Sequence, residues 1–373
     1  MGLVMFFRQF YLNSVSIVWI SALALSGCAI LDPEARSDSG KLLVGVGTPV
    51  PVAAETQSVA TQRADAADDP EIWADPKDPS RVVIFGTDKQ AGLYTYDLSG
   101  AITGFLPDGK LNNVDLRGGL ATPAGERVLV AASDRGRFGA ALYLMDPATL
   151  KVAPWGLAKL DLAEPYGLCM GRRGERFIVI VNGTDGQVRQ VAITVGADGQ
   201  PVATEEQRFA VGSQTEGCVV DDATGALYVG EEAKGIWRYD LDPAKGAARV
   251  QVAAAPSAML KPDVEGLTLL REGEKTWLIA SSQGDSAFAV WRVDGDAPDY
   301  RGRFSVVGAN GIDGVTGTDG VAALGGVVGP YGEGLVVMQD DVDAEGEAPS
   351  TARVRQNFKL VDWRAVKQAL GLN

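Results

Sequence analysis

From residue 65 onward the chain is written in short apolar runs, each closed by a polar cluster, and the spacing of a long amphipathic helix is rare. Six runs share one form: 82–88 (VVIFGTD), 128–134 (VLVAASD), 177–184 (FIVIVNGT), 226–232 (ALYVGEE), 277–283 (WLIASSQ) and 335–341 (LVVMQDD). A second run follows each, at 92–98, 141–146, 188–194, 235–241, 288–294 and 357–363. Ahead of each pair lies a further short strand, at 71–75, 114–120, 166–170, 217–221, 266–270 and 320–324, and five units carry a fourth, as at 101–106 and 300–306. The unit recurs about every 50 residues. A lone four-stranded sheet cannot bury both faces, so such units must stack around an axis. Six of them predict an all-β fold, a six-bladed β-propeller of four-stranded antiparallel blades.

The sixth unit lacks a fourth strand and runs instead into 363–370, a predicted short C-terminal helix capped by Asp362 and closed by Gly371. An N-terminal segment near residues 55–61 is therefore expected to supply the missing outer strand and close the ring. The first 28 residues read as an export segment: Arg8, a largely apolar run over 10–25, then Leu25-Ser26-Gly27-Cys28. This resembles a bacterial lipoprotein signal, with Cys28 expected to be lipidated; an ordinary cleaved signal peptide and an uncleaved anchor are the competing readings. Residues 29–54, rich in small and polar residues, read as a flexible tether, leaving 55–373 as a single propeller domain. The expected location is the bacterial cell envelope. Ala29, rather than Asp, follows the cysteine, which points to the outer membrane with the leaflet left open.

Composition narrows the chemistry. The 373 residues include 46 Gly and 18 Pro, in keeping with many turns, and a net charge of −14 argues against a nucleic-acid partner. The chain has no histidine, which removes histidine triads and imidazole-ligated zinc or iron. Cys169 and Cys218 start no C-x5-R motif, because Glu175 and Thr224 stand where the arginine belongs, so a thiol phosphatase is excluded. They follow an equivalent glycine by two and one residues, and alternation aims them at opposite faces of their strands, which disfavours a disulfide. A closed ring makes no demand for a partner, so a monomer is expected.

Acidic residues recur where the first strand of each unit begins: Asp68 and Asp69 in DAADDPEIW, Asp115, Glu164, Glu216, Asp263 with Glu265, and Asp313 with Asp319. In a propeller these strands line the central channel, so the acids form a ring at one mouth. Crowded carboxylates repel and take up protons unless a cation intervenes. An oxygen-only donor set favours Ca²⁺ over Mg²⁺ or Mn²⁺.

These residues carry a resemblance. DAADDPEIW, GKLNNVDLR (109–117), EPYG (164–167), SQTEG (213–217), LYVGEE (227–232), DVEGLT (263–268), ASSQG (280–284), DGVTGTDG (313–320) and QNFKLVDW (356–363), in that order, are similar to the β-propeller phytases, the calcium-dependent alkaline family. The resemblance implies hydrolysis of phytate (myo-inositol hexakisphosphate) to lower inositol phosphates by a metal-activated water, with several Ca²⁺ ions at the channel mouth. It implies metal contacts from Asp65, Asp68, Asp69, Glu216, Glu231, Glu232, Asp263, Glu265, Gln283, Asp313 and Asp319, the first and second acids of the Glu231-Glu232 pair remaining unseparated. Asp69, Glu216, Glu232, Lys89 and Arg135 are the implied catalytic group, and Lys89, Arg117, Arg135 and Tyr166 the implied substrate contacts. Two departures stand out: Gln90 and Thr184 occupy places where the family has lysines, with Arg189 the nearby candidate for compensation. Two other classes fit the same acid ring, a different calcium-dependent propeller hydrolase such as a lactonase, and a non-catalytic ligand-binding lipoprotein.

Overall fold

The computed structural model describes residues 1–2, 45–350 and 352–372. The chain divides into two units, Met1–Arg36 and Ser37–Asn373; the export segment, Cys28 and most of the tether lie outside the described residues. Among the described residues, no helix is long and apolar enough to cross a membrane.

Two short strands come first, β1 (Thr48–Pro51) and β2 (Ala54–Glu55). Blade one is β3 (Ala67–Asp75), β4 (Asp78–Asp88), β5 (Gly92–Tyr96) and β6 (Ile102–Leu106); blade two is β7 (Leu111–Thr122), β8 (Gly125–Asp134), β9 (Gly139–Met145) and β10 (Val152–Lys159). Blade three is β11 (Pro165–Arg173), β12 (Arg176–Gly183), β13 (Gln187–Val195) and β14 (Pro201–Ala210); blade four is β15 (Thr215–Asp221), β16 (Ala226–Glu231), β17 (Gly235–Asp240) and β18 (Val250–Ala254). Blade five is β19 (Leu267–Glu272), β20 (Lys275–Ser282), β21 (Ala287–Arg292) and β22 (Asp299–Val307); blade six is β23 (Val321–Gly325), β24 (Gly334–Asp340) and β25 (Asn357–Asp362), followed by helix α1 (Trp363–Leu370). The first strands touch in the cycle β3, β7, β11, β15, β19, β23 and back to β3, which closes the ring.

Period-two alternation explains the stacking. Phe177, Val179 and Val181 of β12 bury against blade two, while Ile178 and Ile180 bury against blade four. Both faces of a blade are thus apolar, and an apolar cluster fills each seam between neighbouring blades. Blade six is completed as the sequence predicts: β2 pairs antiparallel with β25, and Thr56 and Val59 extend the contact through backbone bonds to Phe358 and Gln356. Helix α1 is capped by the Asp362 carboxylate, which accepts from the Arg364 N–H, and ends at Gly371 in the left-handed region. One element departs from the expectation. Strand β1 lies inside the stretch read as tether, pairs parallel with β22 and gives blade five a fifth strand. Its sequence, TPVP, buries only Val50, too faint a pattern to read as a strand.

The disulfide expectation is corrected: Cys169 and Cys218 are bonded, with Cα atoms 5.5 Å apart. Alternation does turn them to opposite faces of their own blades. Adjacent stacked blades meet through opposite faces, however, so Cys169 of blade three and Cys218 of blade four share one seam cluster.

Candidate metal and phosphate site at the channel mouth

In blades one to four the ladder between first and second strands slips just past its entry, between Ala67 and Pro70, Leu111 and Val114, Pro165 and Leu168, and Thr215 and Cys218. A bulge of this kind re-aims side chains out of the sheet. Counting two residues back from the point where pairing resumes gives equivalent positions in all six blades: Asp68, Asn112, Tyr166, Glu216, Glu265 and Asp319. The next position is glycine in four blades, because the following blade packs its backbone there. A Cβ on Gly167 would run into the Glu216 carbonyl, and one on Gly217 into the Glu265 carbonyl. A second set of equivalent positions follows the second strand: Lys89, Arg135, Thr184, Glu232, Gln283 and Asp341, each donating its backbone N–H to the segment entering the first strand.

These two sets converge at one end of the channel. The Lys89 ammonium lies 3.0 Å from Asp65, 3.3 Å from Asp68 and 3.3 Å from Asp319. The Gln283 amide donates to Glu265 at 2.8 Å and to Asp319 at 2.5 Å. One carboxylate oxygen from each of Glu232, Asp263 and Glu265 falls within 4.8 Å of the others. Across the mouth, the Asn112 side chain donates to Glu216 at 2.6 Å and accepts from Arg135 at 3.1 Å. Arg135 also donates to Glu164 at 2.8 Å, and its guanidinium lies 5.3 Å from the centre of the Tyr166 ring.

Burial and crowding make these acids reluctant to ionise. Desolvation, opposed by Lys89 and reinforced by Asp319 and Asp65, pushes Asp68 up to about 7. Desolvation with the Asp263 charge pushes Glu232 up to about 8, and Glu265 is held well above the carboxylate range by burial beside Asp319, Glu216 and Glu232. Asp68 is fully buried, and Glu232 Oε1 has no hydrogen-bond partner, so donor capacity points into the mouth unused. A hard divalent cation fits this set: oxygen donors only, mostly carboxylates, partly unsatisfied and partly protonated in its absence.

Other expected site residues go elsewhere. Asp69 sits one step inside the channel, accepting from the Val114 N–H at 3.0 Å. Glu231 is separated from Glu232: its carboxylate accepts from Ser213 and from the Trp237 indole, turned away from the mouth group. Asp313 lies apart from the mouth group, at the outer closing strand of blade six, where it binds the buried Lys359 ammonium with Glu55, Asp340 and Asp343; there one carboxylate oxygen from each of Glu55, Asp313 and Asp343 falls within 4.8 Å of the others, a second group able to hold a metal. Arg117 lies apart from the mouth group. It pairs with Asp115 at 2.7 Å and Asp222 at 2.9 Å beside a cavity of about 330 Å³ at the opposite end of the channel, where no mouth residue reaches. Asp115 leaves the predicted ring with it, because the bulge moves it three residues below the mouth position. Arg189 does not replace the missing lysine; it is buried and donates to the Asp161 carbonyl at 2.7 Å. Asn112 and Asn182 were missed. Aligning the blades on their bulges rather than on their acids finds Asn112.

The sequence profile of the phytase family matches residues 23–373. A 3-phytase of Bacillus subtilis (strain 168) is 35% identical over 328 residues, covering 85% of this chain and 84% of the relative. A solved auxiliary nutrient binding protein from Bacteroides thetaiotaomicron VPI-5482 covers 84% of this chain and 76% of its own at 11% identity and a TM-score of 0.48, too slight a likeness to carry an argument. With that profile matched over nearly the whole chain and a relative this similar along most of its length, the chain belongs to the β-propeller phytase family.

Proposed function

We propose that this protein is a calcium-dependent phosphomonoesterase that hydrolyses phytate to lower inositol phosphates and phosphate. The observation that carries the reading is the convergence of Asp68, Glu216, Glu232, Asp263, Glu265, Gln283 and Asp319 at the mouth that also holds Lys89 and Arg135. A phosphate monoester brings about two negative charges, which a bare acidic mouth repels. Calcium held by these oxygens supplies positive charge for phosphate and a more acidic bound water.

The chain's own residues do the rest. Arg135 offers a planar fork for phosphate oxygens, and Glu164, Asn112 and the Tyr166 ring fix its orientation before substrate arrives. Lys89 is buried among three carboxylates and balances part of their charge at the mouth. Asn112 couples the two halves, holding the phosphate-facing Arg135 and the metal-facing Glu216 in one hydrogen-bonded line. The nucleophile in this reading is water, and the absence of histidine and of a C-x5-R thiol removes two of the protein nucleophiles that would compete with it. Family membership and the cationic groups at the rim favour phosphate esters over lactones, and the fold alone would not. The same reading includes lipidation at Cys28, a monomer, and an outer-membrane location with the propeller tethered to the lipid.

The test is phosphate release from calcium phytate near neutral pH, with and without a calcium chelator. Release that stops with chelator and returns with added calcium is expected. Absence of release in calcium, or release indifferent to chelator, would reject the proposal.

A further inference from the structure

We propose that the Cys169–Cys218 disulfide is a positioning device for Glu216, holding the mouth carboxylate of blade four where it meets calcium; this rests on the calcium reading above. The bulge between Thr215 and Cys218 leaves Glu216 and Gly217 outside the ladder of their own blade. Glu216 is therefore fixed largely from across the seam. Its carbonyl accepts from the Asn182 side chain of blade three at 2.8 Å, and it packs against Gly167 so closely that no side chain fits there. Both ties hold only while blade three keeps its place against blade four.

At other seams the backbone does this directly. Gly266 donates to the Asp319 carbonyl at 3.1 Å, and Gly320 donates to the Asp68 carbonyl at 3.1 Å, each bond reaching the mouth residue itself. At the seam between blades three and four a covalent bond stands two residues from Glu216, with Cys169 and Cys218 both buried. A cross-link here limits sliding between the two first strands, and so limits how far Glu216 strays from its partners. Groups that orient a metal ligand from behind set its affinity, commonly by tenfold or more.

The experiment is calorimetric titration of the whole protein with calcium, at a temperature well below melting, for wild type, the Cys169→Ala/Cys218→Ala pair and Val229→Ala. Val229 lies in the same seam cluster, so its truncation loosens packing while sparing the cross-link. The disulfide-free variant is expected to bind calcium about tenfold more weakly, whereas Val229→Ala lowers the melting temperature and keeps wild-type affinity. Cys169→Val with Cys218→Ala, which refills lost volume, replaces the alanine pair if that does not fold. Unchanged affinity in the disulfide-free protein, or an equal loss in Val229→Ala, overturns the positioning role alone. Wild-type protein that takes up no calcium overturns the calcium reading, and this proposal falls with it.

Discussion

The two ends of the channel use the same residue types to opposite effect. At the far end Asp115 and Asp222 share Arg117 and Asp221 faces Arg271, while Glu71, buried beside Asp115, is held well above the carboxylate range. At the mouth, acids of blades one, four, five and six crowd together, with the Lys89 ammonium serving three of them. The far end thus pairs three of its four acids within the chain. An under-compensated end stays partly protonated or takes its positive charge from outside. Counting acids therefore does not locate a metal site. What locates it is the balance between carboxylates and the cations already built in beside them.

Breaking the mouth has the largest expected effect. Glu265→Gln should lower calcium-dependent phosphate release on the order of a hundredfold. The same change should leave the chelated protein as stable as wild type or more so, because it removes one buried carboxylate that its neighbours repel. Retained activity would take Glu265 out of the site. Breaking the far end should do the reverse. Arg117→Met strips two acids of their partner and should destabilise by about 2 kcal/mol, measured by denaturant unfolding, with phosphate release unchanged. A specific loss of turnover without loss of stability would return Arg117 to the substrate.

The smallest effect is a pH slope. Asp68 is raised from 3.8 to about 7 and Glu232 from 4.5 to about 8, so the folded chain holds protons that the unfolded chain releases. Their contribution to stability is present below the unfolded values and is lost as pH rises through the folded ones. With chelator, the melting temperature should fall from about pH 4 to about pH 8 and level off above that, and calcium should remove the slope. A slope that is the same with and without calcium would uncouple these two acids from metal binding.

The fold was legible because each blade buries both faces, so every strand leaves an apolar run with polar ends. Closure by residues around 54–59 was legible for the same reason, since blade six visibly lacked an edge. The site was legible to within a few residues and no better. Asp69, Asp115 and Glu164 lie near enough to the right spacing to look like ring members, yet the bulges set the ring at Asp68, Asn112 and Tyr166. One residue of slip along a strand sends a side chain to the other face. Pairing between strands fixes that register, and acid spacing alone does not carry it. Glu231 and Glu232 make the same point: adjacent and chemically alike, one holds Ser213 and Trp237 while the other faces the mouth. The disulfide was misjudged by treating one blade in isolation, when a seam is made from two.

The most direct test of the account is a calcium titration that compares the two ends in one protein. Wild type, Glu265→Gln at the mouth and Asp222→Asn at the far end should be titrated calorimetrically under identical conditions. The account predicts calcium binding in wild type, binding at least about tenfold weaker in Glu265→Gln, and wild-type binding in Asp222→Asn. Equal affinities for all three, or a loss confined to Asp222→Asn, would contradict it.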